Sequence, residues 1–277
     1  MARCVKLVSR ERRDCRDRTL CCSVIYLEAM RKIKAWMKRE KEETAILLRS
    51  IPVMVVTLFV VSVICMNLLA NKTLLQLDWI ALDGGILISW LSFMCMDIIT
   101  KHFGPKASNK ISLLAAAINL LTCLIFFVAS IIPSNANDYS EFNSIFGGTW
   151  FILLGSTVAF LSSAVLNNML NWMIGRMLAQ NINERFVYGM QTYISTFISQ
   201  LWDNFIFSVI IFVGFAPVFW DGFHWSVLQC ATCALTGAVA ELIMEIVFSP
   251  IGYRIVTGWK ANSVGKEYLD YIGKGTR

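Results

Sequence analysis

Apolar positions along this chain form long continuous runs, separated by short polar breaks. Each run has the length needed to cross a bilayer core, which takes ~20 residues at a rise of ~1.5 Å per residue. Soluble core helices seldom keep so many apolar residues in succession. The pattern therefore predicts an all-α, polytopic membrane protein with six transmembrane helices. The six runs are Ile51–Ala70, Trp79–Ile99, Ile111–Ile132, Thr149–Ile174, Thr192–Phe215 and Val227–Val256.

Composition and charge agree with this class and indicate an orientation. Hydrophobic residues make up 56% of the 277 residues, above the ~45–50% apolar share of soluble domains. Of the 25 lysines and arginines, 24 fall on one side of the predicted membrane and only Lys72 falls on the other. Because basic residues concentrate on the cytoplasmic side, we expect both termini in the cytoplasm. The net charge of +6 then reflects topology and attraction to anionic lipid, and it predicts no nucleic-acid partner.

The chain divides into a basic tail, a membrane domain and a second short tail. Residues 1–49 are expected in the cytoplasm, with an interfacial helix from Met30 in which apolar residues recur at helical spacing among lysines and arginines. We interpret residues 1–29 as a disordered extension or a start-site artefact that is dispensable for transport. Residues 50–257 form the predicted six-helix transport domain, and residues 258–277 form a cytoplasmic tail.

The strongest polar signal lies near the centre of the fifth apolar run. Asp203 is the one formal charge within Tyr193–Phe215, and a carboxylate at such a depth costs ~2.5–3.5 kcal/mol on insertion scales. Gln200 precedes it by about one turn on the same helix face, and Trp202 flanks it with a flat apolar ring. We therefore predict that Asp203, Gln200 and Trp202 bind substrate. The alternative is that Asp203 only ties helices together.

Other polar residues inside the apolar runs extend the predicted substrate site. Asn167 and Asn171 share one helix face, where an amide pair can read a purine edge or bridge helices. Asn67, near the end of the first run, can contact a neighbouring helix or a ligand. Glu241 lies well inside the sixth run, although acids there can also extend towards the inner interface. A guanine-type edge presents two adjacent N–H donors, which the carboxylate of Asp203 or Glu241 could accept together.

Three charged residues near the inner membrane surface are predicted to form a gate or a coupling site. Asp97 lies ~27 Å from Trp79 along the second run, as judged from the helical rise. Lys101 follows four residues later, so a simple ion pair with Asp97 is the alternative interpretation. Glu245 has a similar depth on the sixth run. We expect Lys101 to pair with Glu245 across helices.

Motifs of common catalytic and metal sites are missing from the sequence. The two histidines, His102 and His224, fall on opposite sides of the predicted membrane, and no H-E-x-x-H, G-x-S-x-G or Walker sequence occurs. Cys230 and Cys233 form a lone C-x-x-C within an apolar run, which favours small core residues over a redox pair. We therefore predict no catalytic residues, no metal and no cofactor.

Five short motifs occur in a fixed order over roughly residues 50–257. They are Asn67-Leu-Leu-Ala-Asn71-Lys72, the stretch Asp97–Ala107 (DIITKHFGPKA), the stretch Ser156–Asn167, the stretch Ser199–Phe207 (SQLWDNFIF) and the stretch Glu241–Tyr253. Together they resemble the vitamin uptake transporter family, whose best-known members are queuosine precursor transporters. Each motif is weak alone, and the order of all five gives the resemblance its specificity.

The resemblance implies six transmembrane helices and uptake of 7-deazaguanine precursors of queuosine across the plasma membrane of a bacterium. Three positions depart from the usual residues of that family. Asn167 stands where Asp is usual, Lys101 where an acid is frequent, and Glu241 where Lys is frequent. These departures bear on the substrate more than on the fold.

We therefore expect a secondary transporter that binds a small purine-like or vitamin-like compound near the membrane midplane and works by alternating access. Proton coupling through an acid is an open option, as is a homo-oligomer in the lipid bilayer. Two other interpretations remain. One is the substrate-binding membrane subunit of an energy-coupling factor transporter with an ATPase partner, and the other is a non-transport intramembrane enzyme.

Overall fold

Long helices account for most of the chain in the computed structural model. It describes residues 18–70, 72–77, 80–133, 142–143, 146–147, 150–180, 183–219 and 224–275. The main elements of these residues, in chain order, are α1 (Arg18–Ser50), α2 (Val53–Leu69), β1 (Thr73–Leu77), β2 (Ile80–Asp83), α3 (Ile86–Phe103), α4 (Pro105–Ile131), α5 (Trp150–Met177), α6 (Glu184–Ser208), a π-helix (Val209–Phe215), α7 (Ala216–Phe219), α8 (Val227–Ala261) and α9 (Lys266–Gly275).

Five helical segments are long and apolar enough to cross a membrane. They are α3, α4, α5, α8 and the continuous segment Glu184–Val218, which joins α6, the π-helix and α7. Helix α2 is long and apolar enough only when it is counted together with the preceding helix, and the axes of the two helices are bent by 104° where they meet. The described chain thus holds five or six candidate spans, and it is an all-α polytopic membrane protein in its main architecture.

A short β-hairpin lies between α2 and α3 and delays the start of the second predicted span. Strands β1 and β2 pair antiparallel, so α3 begins at Ile86, and the first residues of the apolar run Trp79–Ile99 lie before the helix. Gly84 and Gly85 precede the helix, and glycine costs ~1 kcal/mol relative to alanine inside one. The other five apolar runs fall within helices, apart from their terminal residues.

Helices α3 and α4 meet in a tight turn at Gly104. This residue has φ 89° and ψ 166°, a backbone conformation that glycine adopts without steric cost. Pro105 follows at the first position of α4, where its missing N–H is not needed. The turn makes α3 and α4 antiparallel neighbours and brings the first turns of α4 close to α1.

We call the end of the bundle formed by α1, the α3–α4 turn and α9 the basic end, and the opposite end the hairpin end. At the basic end, Lys106 Nζ lies 2.8 Å from Glu40 Oε1 and 2.7 Å from Glu43 Oε2, and Lys110 Nζ lies 2.9 Å and 3.0 Å from the same two carboxylates. Close contacts with Lys106, and then with Lys110, lower the pKa of Glu40 to about 2. Tyr268 of α9 donates to Glu43 at 3.3 Å. These contacts join α1, α4 and α9.

Helix α1 presents apolar side chains to its surroundings among basic residues. Ile33, Trp36 and Met37 are 49%, 62% and 44% exposed. The helix begins at Arg18, before the start expected at Met30, and residues 1–17 lie outside the described part of the chain. A location of α1 at the membrane surface stays a prediction.

A line of small residues lets α5 pack closely on α6 and the π-helix. Gly155, Ala159 and Ser163 are all buried along one face of α5. A Cβ added at Gly155 would lie 2.7 Å from Cδ1 of Ile211 and 3.1 Å from Cγ2 of Ile210, so only glycine fits there without a shift. This close packing brings the polar middle of α5 against that of α6.

Candidate functional site

Polar side chains face one another in the interior between α3, α5, α6 and α8, and they are buried or half-buried. We call them the buried polar cluster. It consists of Ser89, Asp97, Lys101, Ser163, Asn167, Asn171, Thr192, Ser195, Thr196, Ser199, Gln200, Asp203, Asn204, Glu241 and Glu245. They fall at helical spacing along single faces of α5 and α6, so each helix contributes a continuous polar stripe.

Two carboxylates share the level of the cluster nearer the hairpin end. Ser163 of α5 donates a hydrogen bond to Oδ1 of Asp203 at 2.8 Å. The next residue of α6, Asn204, donates to Oε2 of Glu241 at 3.3 Å, and Ser89 of α3 donates to Oε1 of Glu241. Four helices therefore meet at one polar level, and the predicted residues Asp203 and Glu241 are linked there through Asn204, the residue that follows Asp203 on α6.

A satisfied ion pair occupies the level nearer the basic end. Nζ of Lys101 lies 3.0 Å from Oδ2 of Asp97 and also donates to the hydroxyl of Thr192. Asn167 donates to the other oxygen of Asp97 at 2.9 Å. The same ammonium lies 3.9 Å from the centroid of the Tyr188 ring, a cation–π distance. The i,i+4 pair that the sequence offered as an alternative is thus present.

Glu245 belongs to the same level but forms no hydrogen bond. Its side chain is fully buried, and neither carboxylate oxygen has a hydrogen-bond partner. The predicted pairing of Lys101 with Glu245 was therefore wrong, because Asp97 and Thr192 engage the ammonium instead. Glu245 is still close enough for the charges of Asp97 and Lys101 to act on it.

Unpartnered polar atoms lie between the two levels and near the level at the basic end. Both amide atoms of Gln200 lack a hydrogen-bond partner although its side chain is fully buried, and so do Oγ1 of Thr196 and the carbonyl oxygens of Asn167 and Asn171. Each unsatisfied buried group costs ~1–3 kcal/mol. Several of them at adjacent positions indicate a place where water or a polar ligand completes the hydrogen bonds.

Two predicted site residues lie apart from this cluster. Trp202 is 45% exposed, and its indole N–H donates to the hydroxyl of Ser162 at 3.2 Å. Asn67 is buried at the end of α2 and accepts a hydrogen bond from Ser156, two turns of α5, or ~10 Å, from Ser163. The structure brings together the other predicted residues, which are Asp203, Gln200, Glu241, Asn167, Asn171, Asp97, Lys101 and Glu245.

Sequence reasoning missed the small hydroxyl and amide groups of the cluster. Ser89, Ser163 and Thr192 give no signal alone, because serine and threonine in helices often satisfy themselves on their own backbone. Ser163 also belongs to the line of small residues on α5, a pattern that indicates close helix packing. A signal was present in the spacing, since Thr192, like Ser195 and Ser199, continues the polar face of α6.

An apolar groove lies elsewhere, between α4 and α5. It has a volume of about 280 Å³ and is lined by side chains from Leu120 to Phe127 of α4 and from Trp150 to Leu154 of α5. Its lining suits an acyl chain better than a polar base. In the described part of the chain, no group of three or more His, Cys, Asp or Glu side chains is placed to hold a metal ion.

Comparison with known proteins gives two matches and one negative result. The family described as “Putative vitamin uptake transporter” matches residues 83–255, a range that holds the whole buried polar cluster. A protein of Bacillus subtilis (strain 168), named “Probable queuosine precursor transporter”, is 26% identical over 156 residues. That match covers 56% of this chain and 66%, just under two thirds, of the relative. No solved structure matches the chain significantly.

Proposed function

Because the chain belongs to the vitamin uptake transporter family, we propose that this membrane transporter imports a 7-deazaguanine precursor of queuosine, or a similar purine-like or vitamin-like compound. The named relative in Bacillus subtilis supports this choice of substrate. We place the transporter in the plasma membrane of a bacterium, with the basic end in the cytoplasm, because lysine and arginine concentrate there.

The unpartnered amide of Gln200 is the observation that carries the proposal. It lies about one turn from Asp203 on α6, and Asp203 shares its level with Glu241. An amide offers a donor and an acceptor side by side, and a carboxylate can accept two parallel N–H bonds. A guanine-type edge presents a ring N–H, an exocyclic amine and a carbonyl oxygen. The cluster supplies the complementary groups, and a bound base would satisfy atoms that are otherwise buried without partners.

The depth of these residues suits alternating access. Asp203 lies 11 residues after Thr192, or ~16–17 Å along α6, close to the middle of a ~30 Å core. Substrates of secondary transporters bind near this depth, between helices that close alternately on each side. We propose that the pair of Asp97 and Lys101, with Thr192, closes the path towards the basic end.

An uptake assay tests the substrate. Cells that lack their own precursor transporter and the precursor biosynthesis should accumulate a labelled 7-deazaguanine base when they express this chain. Gln200→Leu keeps the bulk of the side chain and removes its hydrogen-bonding groups, so the apparent affinity should fall by roughly 5- to 160-fold, as expected for a loss of ~1–3 kcal/mol. Gln180→Leu, at an exposed position, is the matched control. Normal uptake by Gln200→Leu, or no uptake by wild type, contradicts the proposal.

The same cells separate the two alternatives. Membership of a transporter family favours transport over enzymatic activity. Recovery of a labelled product, rather than accumulated unchanged base, would nevertheless support an intramembrane enzyme. Co-purification with an ATPase, together with uptake that stops when that ATPase is removed, would support the subunit of an energy-coupling factor transporter.

A further inference from the structure

We propose that Glu245 is the group that carries a proton through the transport cycle, so that cargo moves into the cell together with a proton. The inference rests on the proposed function for its cargo. Its chemical basis is independent of the cargo, because it comes from the geometry of the basic-end level of the cluster.

The three ionisable side chains at this level would carry a net negative charge if all of them were ionised. Asp97 and Lys101 form a pair at 3.0 Å, and Thr192 and Asn167 complete their hydrogen bonds. This pair is neutral as a whole and is already satisfied. Glu245 is the surplus acid, buried beside a lysine whose charge Asp97 already compensates.

The neutral carboxylic acid is therefore the form of Glu245 with the lower free energy in this environment. An ionised carboxylate that is buried without hydrogen bonds or a counter-ion costs far more than its protonated form. The titratable groups that act on Glu245 come from α3, which contributes Asp97, Lys101 and Cys95, and from α6, which contributes Tyr188. The thiol and the phenol are neutral near pH 7, so the satisfied pair is the only charged neighbour among these four groups.

A rearrangement of the helices would release this proton. When α3 and α8 move so that water or the ammonium of Lys101 reaches Glu245, its carboxylate becomes stabilised. The O–H bond of Glu245 then breaks, and the proton passes to water at the basic end. When the cluster opens towards the hairpin end, the carboxylate takes a proton from water there and becomes neutral again. The cycle carries one proton in the direction of the cargo and consumes no other reactant.

Infrared difference spectra of the purified full chain in lipid nanodiscs test the protonation without any cargo. At neutral pH, the difference spectrum of wild type minus the Glu245→Gln variant should show the C=O stretch of a protonated carboxylic acid. The difference spectrum of wild type minus Glu184→Gln, which changes an exposed acid at the start of α6, should lack this band. A carboxylate band in place of the carboxylic acid band overturns the proposal. If the Glu245→Gln variant cannot be recovered in folded form, the Glu245→Asp variant is measured in its place. The carboxylic acid band should then shift relative to wild type. A band at the wild-type frequency overturns the assignment.

Proteoliposomes test the coupling with a labelled 7-deazaguanine base as cargo. With an imposed proton gradient, wild type should accumulate the base above its equilibrium level, whereas Glu245→Gln should only equilibrate it. Exchange of external for internal base should persist in Glu245→Gln, because it needs no net proton movement. Accumulation by Glu245→Gln at the wild-type level overturns the proposal. If wild type moves no base in either assay, the proposed function fails, and the infrared spectra still decide whether Glu245 carries a proton.

Discussion

At the scale of single residues, Asp203 contacts a neighbouring helix at the level where we propose that substrate binds. It is half-buried, it accepts a hydrogen bond from Ser163 on the neighbouring helix, and it lies one residue before Asn204, which binds Glu241. The bond from Ser163 needs only an oxygen acceptor. The negative charge of Asp203 is therefore not required for that contact.

Replacement of Asp203 by asparagine should separate these two roles. In Asp203→Asn the amide oxygen can still accept the hydrogen bond from Ser163, so the melting temperature in detergent should stay unchanged. The affinity for a 7-deazaguanine base should fall by roughly 13- to 160-fold, because a hydrogen bond to a charged group is worth ~1.5–3 kcal/mol. Melting temperature and affinity are measured on one preparation, with exposed Asp270→Asn as the control. A folded variant with unchanged affinity removes Asp203 from the site.

The sequence identified the charged members of the cluster but not their partners. Asp203, Glu241 and Asp97 stand out because a charge within an apolar run is costly whatever its neighbours are. The sequence shows less directly which side of each helix faces the interior of the bundle. Trp202 is ~100° around the helix from Asp203, and it faces outward. Lys101 was expected to reach across helices, but the nearby carboxylate of Asp97 engages it first.

At the scale of elements, the contact of α5 with the π-helix sets how closely the polar faces of α5 and α6 approach. The π-helix follows α6 directly, and Ile211 is buried against Gly155. An apolar run looks the same in sequence whether it forms an α-helix or a π-helix, so the sequence predicted a single uninterrupted helix there. The β-hairpin was missed for a related reason, since Ile80–Asp83 continued an apolar run.

A methyl group at Gly155 should weaken this contact. In Gly155→Ala the new Cβ lies 2.7 Å from Cδ1 of Ile211, and overpacking of this kind costs ~1–3 kcal/mol. The melting temperature should fall, and binding should weaken because the two polar faces move apart. Gly258→Ala on α8 is the matched control, since its added Cβ meets no atom within 4 Å. An unchanged melting temperature of Gly155→Ala would contradict this account of the packing.

At the scale of the whole molecule, the bundle has two ends of different character. The basic end gathers α1, the α3–α4 turn and α9, whereas the hairpin end carries β1 and β2. The apolar runs predicted the helices and their order because length and hydropathy alone identify a span. The 104° bend between α1 and α2 was not predictable in detail, since it depends on the contacts of α1 with α4 and α9.

Reporter fusions should show that the basic end faces the cytoplasm. Alkaline phosphatase, which is active only outside the cytoplasm, should be active when it is fused after Pro133, beyond the hairpin end of α4. The same enzyme should be inactive when it is fused after Arg277, where green fluorescent protein should fluoresce. The reason is the excess of lysine and arginine at that end. Activity of alkaline phosphatase at Arg277 would reverse the assigned orientation.

The hydrogen bond from Tyr268 to Glu43 spans 225 positions of the chain, which has a consequence for biosynthesis. At a translation rate of ~5–20 residues per second, Tyr268 leaves the ribosome roughly 11–45 s after Glu43. Lys106 and Lys110 arrive roughly 3–13 s after Glu43, so they can hold the acids of α1 for the rest of this interval. The nascent chain can therefore place α1 beside α4 early, and α9 completes that contact only when its own synthesis has finished.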